Sequence, residues 1–225
     1  MKRLKVLMGF AVDMDIIQRN PLTGLKGFKS SSEGFHTWTE EEIAAFENRH
    51  PIGSKARLAM TLMLCTGQRR SDAVRMGWQH VKDGLITVRQ QKTQATLAIP
   101  LHPDLRVVLD QTPRANLIFL LTEYSKPFTT NGFGNWLRAR CDEAGLPACS
   151  SHGLRKACAR RLAEAGCSNQ EIKAITGHET EAEVTRYTKA ADQKKLAQHA
   201  MGKLIDIEPQ QQSANPSEKV RNSNG

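Results

Sequence analysis

The chain has 225 residues, of which 39% are hydrophobic, and lysine plus arginine outnumber the acidic residues by 32 to 23. The net charge of +9 and the pI near 9.5 indicate an anionic partner, of which nucleic acid is the commonest. Five cysteines without paired spacing favour reduced thiols over a disulfide framework. No apolar run approaches the ~18 residues of a membrane-spanning helix. The basic start also lacks the apolar core and cleavage site of a signal peptide.

Residues 1–35 are predicted to form one helix and a linker. Apolar residues recur at helical spacing between residues 2 and 19, and the dipeptide at 20–21, Asn-Pro, is expected to stop this helix. Residues 26–35 include three serines in a row and two glycines, a composition typical of linkers. A lone helix before a linker suggests the remnant of another domain.

The main domain is predicted to occupy residues 36–205. Thr39 and Glu42 have the spacing of a capping box, which marks the start of a helix. Residues 55–66 are apolar nearly all round, so this helix should be central to the core, and Gly67 should end it.

A short helix and a small sheet are expected next. Ser71 can cap a helix that runs through Met76. Residues 85–88 and 96–99 read as strands, and together with residues near Val81 they predict a small antiparallel sheet.

The second half of the chain is predicted to be mainly helical. One strand is expected at 117–121, and the helices are expected at the following places: from Pro103, at 130–144, from His152 to Ala165, after Ser168, after Thr180 and at 192–204. Residues 206–225 are rich in polar residues and are expected to be disordered. The fold class predicted is therefore mainly α with a small antiparallel β-sheet, an α+β fold.

Six side chains could together perform phosphoryl transfer. They are Arg69, Lys92, His152, Arg155, His178 and Tyr187. Arginines can donate paired hydrogen bonds to the non-bridging oxygens of a phosphodiester, where negative charge increases in the transition state. A phenol can act as the nucleophile in a cationic field, and a lysine or histidine can protonate the leaving sugar oxygen. The sequence has no carboxylate cluster that would indicate a metal nuclease.

Simpler interpretations of these residues exist. Lys92 alone would be a loop lysine, and Arg69 a solvated surface arginine. The arginines at 160–161 are expected to meet phosphate or solvent. Cys149 and His152 have the spacing of half a zinc site, but no second pair follows them.

Five motifs carry a resemblance to a known family. They are Thr-Gly-Gln-Arg-Arg-Ser-Asp at 66–72, Gln-Gln-Lys-Thr at 90–93 with Ile-Pro-Leu at 99–101, Ser-His-Gly-Leu-Arg at 151–155, Thr-Gly-His at 176–178, and Thr-Arg-Tyr-Thr at 185–188. In this order they resemble the motifs of the tyrosine recombinases, the phage integrase family. The resemblance covers residues 36–205, and Thr176 replaces a usual leucine. It implies the catalytic fold of these DNA breaking-rejoining enzymes.

The resemblance implies a nucleophile and a phosphate clamp. Tyr187 would attack the scissile phosphate and form a 3′-phosphotyrosyl link. Arg69 and Arg155 would clamp the phosphate, and Asp72 would orient Arg69. The covalent link conserves the energy of the broken bond, so no cofactor, ATP or metal is implied.

The resemblance also assigns the proton transfers. Lys92 would protonate the 5′-hydroxyl leaving group, and His152 would assist proton transfer. His178 would hydrogen-bond a phosphate oxygen.

The partners implied are double-stranded DNA and further copies of the chain, as a tetramer on DNA joined through the C-terminal helix. The chain would be bacterial or phage-encoded, cytoplasmic and associated with the nucleoid. Complete family members carry a core-binding domain ahead of the catalytic one, and here only residues 2–19 resemble its last helix.

Two alternatives are a truncated integrase that only binds DNA and a type IB topoisomerase-like enzyme that nicks and reseals one duplex. The target sequence and the choice among integration, excision and resolution stay open.

Overall fold

The structure, a computed structural model, describes residues 2–26, 34–188 and 193–207. The chain divides into two compact units, residues 1–34 and 35–225. Most of the predicted linker and the tail from residue 208 onward lie outside the described residues.

The first unit contains helix α1, Lys2–Asp13, which is shorter than predicted. After α1, Asp15 adopts a positive φ of 55°, and the backbone N–H of Ile16 donates to the carbonyl of Ala11. This left-handed residue ends the helix well before Asn20, so the predicted stop at the Asn-Pro dipeptide was wrong. Asn20 instead shapes the next turn, where its side chain accepts a hydrogen bond from the backbone of Leu22.

The second unit is mainly helical and includes one small sheet, which confirms the predicted fold class. Its helices are α2 (Glu40–Arg49), α3 (Lys55–Thr66), α4 (Arg70–Ala73), α5 (Pro103–Asp110), α6 (Thr130–Glu143), α7 (Ser151–Glu164), α8 (Asn169–Thr176), α9 (Glu181–Thr188) and α10 (Gln193–Ile207). A 3-10 turn at Trp78–His80 precedes the sheet.

Helix α3 forms the centre of the core, as its all-round apolar sequence predicts. Nine of its residues are buried, and it packs against α5, α6 and α7. Ser54 caps its first turn, and Gly67 ends it in the left-handed conformation with a φ of 61°. The end of α3 is therefore fixed, and the arginine motif at 66–72 begins there.

The sheet consists of β1 (Val81–Lys82), β2 (Leu85–Arg89) and β3 (Thr96–Pro100). The strands lie side by side in this order, and each neighbouring pair is antiparallel. Ile86 pairs with Ile99 and both are buried, whereas alternate residues of β2 are exposed. Helix α8 packs against β3, so the loop between β2 and β3 is held near the end of α8.

Two local predictions were wrong. Ser71 lies inside α4, whose N-cap is Arg69. Residues 117–121 form only isolated bridges, in which Ile118 faces Gly77 and Leu121 faces Pro127. On one side the 3-10 turn at Trp78–His80 follows Gly77 at once, and on the other a tight turn connects Thr122 to Lys126.

Two arginines of α7 pair with acidic residues and join α7 to α2. Arg160 contacts Glu40 at 2.6 Å and Glu164 at 2.9 Å, and Arg161 contacts the other oxygen of Glu40. The hydrogen bond from Arg161, with further contributions from Arg160, lowers the pKa of Glu40 to about 2. The expectation that these arginines meet phosphate or solvent was therefore wrong for Arg160, which is buried, whereas 38% of the Arg161 side chain is exposed to solvent.

Helix α10 lies against α7 of the same chain. His199 is seated so closely over Gly166 that a Cβ at this glycine would overlap the imidazole ring. Among the described residues, no helix has the length and apolar composition that crossing a membrane would need.

Gly153 provides a test of packing at the start of α7. A Cβ at this buried position would lie 2.4 Å from the carbonyl oxygen of His36 and 2.7 Å from the indole of Trp38. Gly153→Ala is therefore expected to lower the free energy of unfolding by about 1–3 kcal/mol, measured by urea denaturation. Gly202→Ala in α10 is the control, because its Cβ meets nothing within 4 Å. It should leave stability unchanged or raise it by up to about 1 kcal/mol. Equal effects of the two substitutions would contradict this packing argument.

Candidate active site

Arg69 is positioned by the sharp end of α3. Gly67 reverses the chain, and Arg69 then adopts the extended conformation as the N-cap of α4. Its half-buried guanidinium donates from Nη1 to Oε1 of Gln90 at 3.2 Å. Gln90, the residue directly after β2, therefore orients the guanidinium of Arg69.

Arg155 is almost completely buried, with 1% of its surface exposed. Its Nη1 donates to the carbonyl of Gly67 at 2.6 Å and to the carbonyl of Thr176 at 2.7 Å. These carbonyls stand at the C-terminal ends of α3 and α8, where the helix dipole is negative and favours a cation. The fold therefore holds this charge between two helix ends.

A pair of buried glutamines joins the arginine motif to the sheet. Gln90 donates from Nε2 to Oε1 of Gln68 at 2.7 Å and to the carbonyl of Thr176 at 2.8 Å. Gln68 in turn donates to the carbonyls of Thr66 and Ile175. Both glutamines lie within the sequence motifs, but no role was predicted for either of them.

Asp72 contacts the hairpin. Its buried carboxylate accepts from the backbone N–H of Gln91 at 2.8 Å and lies near the hydroxyl of Ser71. Among residues 34–188, Arg69 hydrogen-bonds Gln90 and not Asp72. The predicted orientation of Arg69 by Asp72 is therefore indirect at most, through the hairpin.

Lys92 lies in the loop between β2 and β3, and it is exposed. The loop is closed by backbone hydrogen bonds from Gln90 to Ala95 and from Gln94 to Gln90. Thr93 donates from its hydroxyl to Oε1 of Gln90 at 2.7 Å. The loop is thus anchored at its base, while the lysine extends from its tip.

His152 lies in the first turn of α7 and is half-buried. Its ring centroid is 4.8 Å from that of Phe35. Burial, followed by the positive charge of Arg155, lowers the pKa of His152. The imidazole is therefore neutral at pH 7, the form that can accept a proton.

His178 follows the left-handed Gly177 that ends α8, and it is buried. Burial is the largest cause that lowers its pKa to about 3, and the charges of Arg155 and Arg69 add to it. The hydroxyl of Thr176 donates to the carbonyl of Ile172 at 2.6 Å and lies 2.7 Å from Nδ1 of His178. Because its one proton points to the carbonyl, Nδ1 must be the donor to Thr176. The neutral ring then carries its proton on Nδ1.

Tyr187 belongs to α9, Glu181–Thr188, but its side chain lies outside the part of the chain that the structure describes. Helix α9 packs against α7 and α8, the helices that carry Arg155 and end at Thr176. The role of Tyr187 as the nucleophile therefore stays a prediction.

A cleft of about 430 Å³ has Arg69, His152 and Arg155 in its walls, together with Arg70 and Arg138. Four arginines in one concave surface focus a positive potential, which attracts an anion. Arg138 was not predicted, because its position on α6 shows nothing in the sequence to distinguish it from a surface arginine.

The thiol of Cys149 does not group with His152. It lies with His36 and Glu42, and the three potential donor atoms are within 4.8 Å of one another. Nε2 of His36 hydrogen-bonds Glu42 at 2.7 Å, and the Glu42 carboxylate also accepts a hydrogen bond from the backbone N–H of Thr39 in the capping box. The three side chains thus join the start of the domain to α2 and to the segment before α7.

Comparisons with known proteins point to one family. A family model described as "Phage integrase family" matches residues 38–194. The integrase of Escherichia phage HK022 is 36% identical over 85 residues, which are 38% of this chain and 24% of the relative. The integrase of Enterobacteria phage 434 is 33% identical over 90 residues, 39% of this chain and 25% of the relative. The matched stretch thus spans about a quarter of the length of these relatives.

Solved structures show the same fold. A lambda integrase dimer bound to a COC′ core site has a TM-score of 0.72 and 24% identity, covering 82% of this chain and 70% of that one. The lambda integrase catalytic core has a TM-score of 0.55 and 25% identity, covering 64% of this chain and 91% of that one. XerA recombinase has a TM-score of 0.62 and 18% identity, covering 89% and 74% of the two chains. Since the family model spans most of the sequence and the fold agrees with it, the chain belongs to the phage integrase family of tyrosine recombinases.

Proposed function

We propose that residues 36–205 cleave and rejoin double-stranded DNA by transesterification, through a 3′-phosphotyrosyl intermediate on Tyr187. The observation that carries this proposal is the convergence of Arg69 and Arg155 on one cleft and one hydrogen-bond network. Family membership supports it, as do the similar structures of lambda integrase bound to a COC′ core site and to a Holliday junction.

The arginines would stabilise charge on the scissile phosphate. Arg155 is held by two backbone carbonyls and Arg69 by Gln90, so each guanidinium is oriented before the substrate arrives. Preorganised donors of this kind contribute strongly to catalysis, because they need no reorganisation as charge develops. Attack by the Tyr187 oxygen on phosphorus forms the new P–O bond while the bond to the 5′ oxygen breaks.

The leaving 5′ oxygen would take its proton from Lys92. His152 has a lowered pKa and is neutral, so it is suited to accept the phenol proton of Tyr187 rather than to supply one. The proposed role of His178 as a donor to a phosphate oxygen requires a second proton on its ring, because Nδ1 already donates to Thr176. A bound phosphate would favour this protonation, since its negative charge offsets those of the arginines that lower the pKa.

The proposed assembly on DNA is a tetramer. The solved neighbours include a lambda integrase dimer and a lambda integrase tetramer, both bound to DNA. The proposed exchange of the C-terminal helix between copies would require α10 to leave its place beside α7. The chain would work where bacterial DNA is found, in the cytoplasm at the nucleoid.

Tyr187→Phe tests the nucleophile. The variant should bind DNA like the wild type but form no covalent adduct, because only the attacking oxygen is removed. The measurement is a suicide substrate with a nick beside the scissile phosphate, followed by gel separation of protein-linked DNA. Tyr124→Phe, at an exposed tyrosine, is the matched control and should form the adduct normally. A chain that binds DNA and never forms an adduct, even as wild type, would instead be a DNA-binding module only.

Lys92→Ala tests the general acid. A sulfur in place of the bridging 5′ oxygen gives a leaving group with a pKa of about 8.5, near that of a thiol, in place of ~15.7, the value for water. This substrate should restore cleavage by Lys92→Ala in single-turnover assays, because the leaving group no longer needs the proton. Arg69→Ala and Arg155→Ala should stay slow, since their role concerns the non-bridging oxygens. Lys92 is not the acid if its variant is equally slow on both substrates.

His178→Gln tests the buried neutral histidine through stability. The folded pKa of about 3 lies below the ordinary value of 6.5, so the unfolded chain binds more protons between these values. The stabilisation by neutral His178 is complete above pH 6.5 and declines as the pH falls towards 3. Between pH 7.5 and 4.5, the variant should therefore lose less thermal stability than the wild type. His102→Gln, at an exposed histidine, should behave like the wild type. A variant with the same acid sensitivity as the wild type would contradict the neutral assignment.

A further inference from the structure

The buried amide of Gln90 contacts three separate parts of the site. Its Oε1 accepts from Nη1 of Arg69 at 3.2 Å and from the hydroxyl of Thr93 at 2.7 Å. Its Nε2 donates to Oε1 of Gln68 at 2.7 Å and to the carbonyl of Thr176 at 2.8 Å. The side chain has no exposed surface.

These four contacts use the full hydrogen-bonding capacity of a carboxamide, which has two N–H donors and two lone pairs on its oxygen. A carboxylate of the same length could accept from Arg69 but could not donate to Gln68 or Thr176. A methionine has a similar length, but it has no N–H to donate and its sulfur is only a weak acceptor. The site therefore requires the amide for its chemistry and not only for its volume.

The carbonyl of Thr176 extends the connection to the second arginine. It accepts from Gln90 at 2.8 Å and from Nη1 of Arg155 at 2.7 Å. Gln90 thus touches Arg69 directly and is one shared carbonyl away from Arg155. Gly177 permits this approach, because a Cβ at that position would lie 2.4 Å from Nε2 of Gln90.

We propose that Gln90 is a positioning residue that sets the Arg69 guanidinium relative to Arg155 and holds the base of the Lys92 loop against this arginine pair. The inference rests on the proposed function, since the substrate of the pair is taken to be a scissile phosphodiester. Gln90 itself acts through Arg69 and touches no reacting atom.

The expected consequence of losing the amide is slower chemistry with intact binding. Without its acceptor, Arg69 remains a cation near the phosphate but no longer has a fixed direction. Misplacement of a catalytic group by about 1 Å can cost roughly 100-fold in rate. Phosphates along the duplex still meet the basic surface, so affinity should change little.

The test measures single-turnover formation of the covalent adduct by Gln90→Met. On a normal phosphodiester it should be about 10- to 100-fold slower than the wild type, with a DNA dissociation constant within about threefold. A second substrate carries a methyl group in place of one non-bridging oxygen of the scissile phosphate, which removes the negative charge. On this substrate the defect should largely disappear, because there is less charge for Arg69 to stabilise.

Three variants calibrate the result. Arg69→Ala should show the same pattern, slow on the phosphodiester and restored on the neutral substrate, whereas Lys92→Ala should be slow on both. Gln111→Met places the same substitution at an exposed glutamine after α5 and should match the wild type. Gln90→Asn keeps the amide but shortens the side chain by one methylene, and it replaces Gln90→Met if thermal unfolding shows that the latter is not folded.

Equal losses on the charged and the neutral substrate, for a folded Gln90 variant, would show that Gln90 does not act through the arginine. So would full activity of both Gln90 variants on the phosphodiester. If wild type and Gln111→Met form no adduct at all, the proposed function fails and the role of Gln90 fails with it. The two failures are therefore distinguishable.

Discussion

The buried guanidinium of Arg155 is the constraint on which the rest of the site depends. A cation with 1% of its surface exposed needs compensation, and it obtains this from the carbonyls of Gly67 and Thr176. These atoms end two different helices, so α3 and α8 must stop where they do and must both face α7. The left-handed glycines at 67 and 177 make both stops possible. Arg69 lies two residues beyond Gly67 and His178 directly follows Gly177, so their positions are consequences of the way in which one charge is buried.

Much of the fold could be predicted because its signals are local. The capping box at Thr39 formed as the spacing indicates, a helix begins after Ser168 as predicted, and strands β2 and β3 pair. The predicted end of α1 and the predicted cap at Ser71 were local errors, whereas two other predictions failed because the deciding contact is distant in sequence. Nothing near Arg160 and Arg161 shows that Glu40, some 120 residues earlier, will pair with both. Residues 117–121 have the composition of a strand, but the fold offers them only a single bridge on each side.

In the site, likewise, the sequence predicts which residues are present but not which contacts they make. Candidate site residues such as Arg69 and Arg155 were predicted from motifs, since charge and order along the chain suffice to suggest them. Their depth could not be predicted, and a buried arginine held by backbone carbonyls looks in sequence like any other arginine. Gln90 was visible in a motif yet carried no expected role, because a glutamine gains importance only when all its partners are in place. The tautomer of His178 depends likewise on a hydroxyl proton that is already engaged with a carbonyl.

The shared carbonyl of residue 176 has a consequence for how the site can change over time. The atom that links Gln90 to Arg155 belongs to the main chain, so no exchange of the side chain at this position removes it. Threonine can therefore stand where the family pattern has leucine while the link between the two sides of the cleft persists. The side chain at this position can then make a different contact, and here its hydroxyl hydrogen-bonds the imidazole of His178. A comparison of sequences would record only the variable side chain and would overlook the invariant atom behind it.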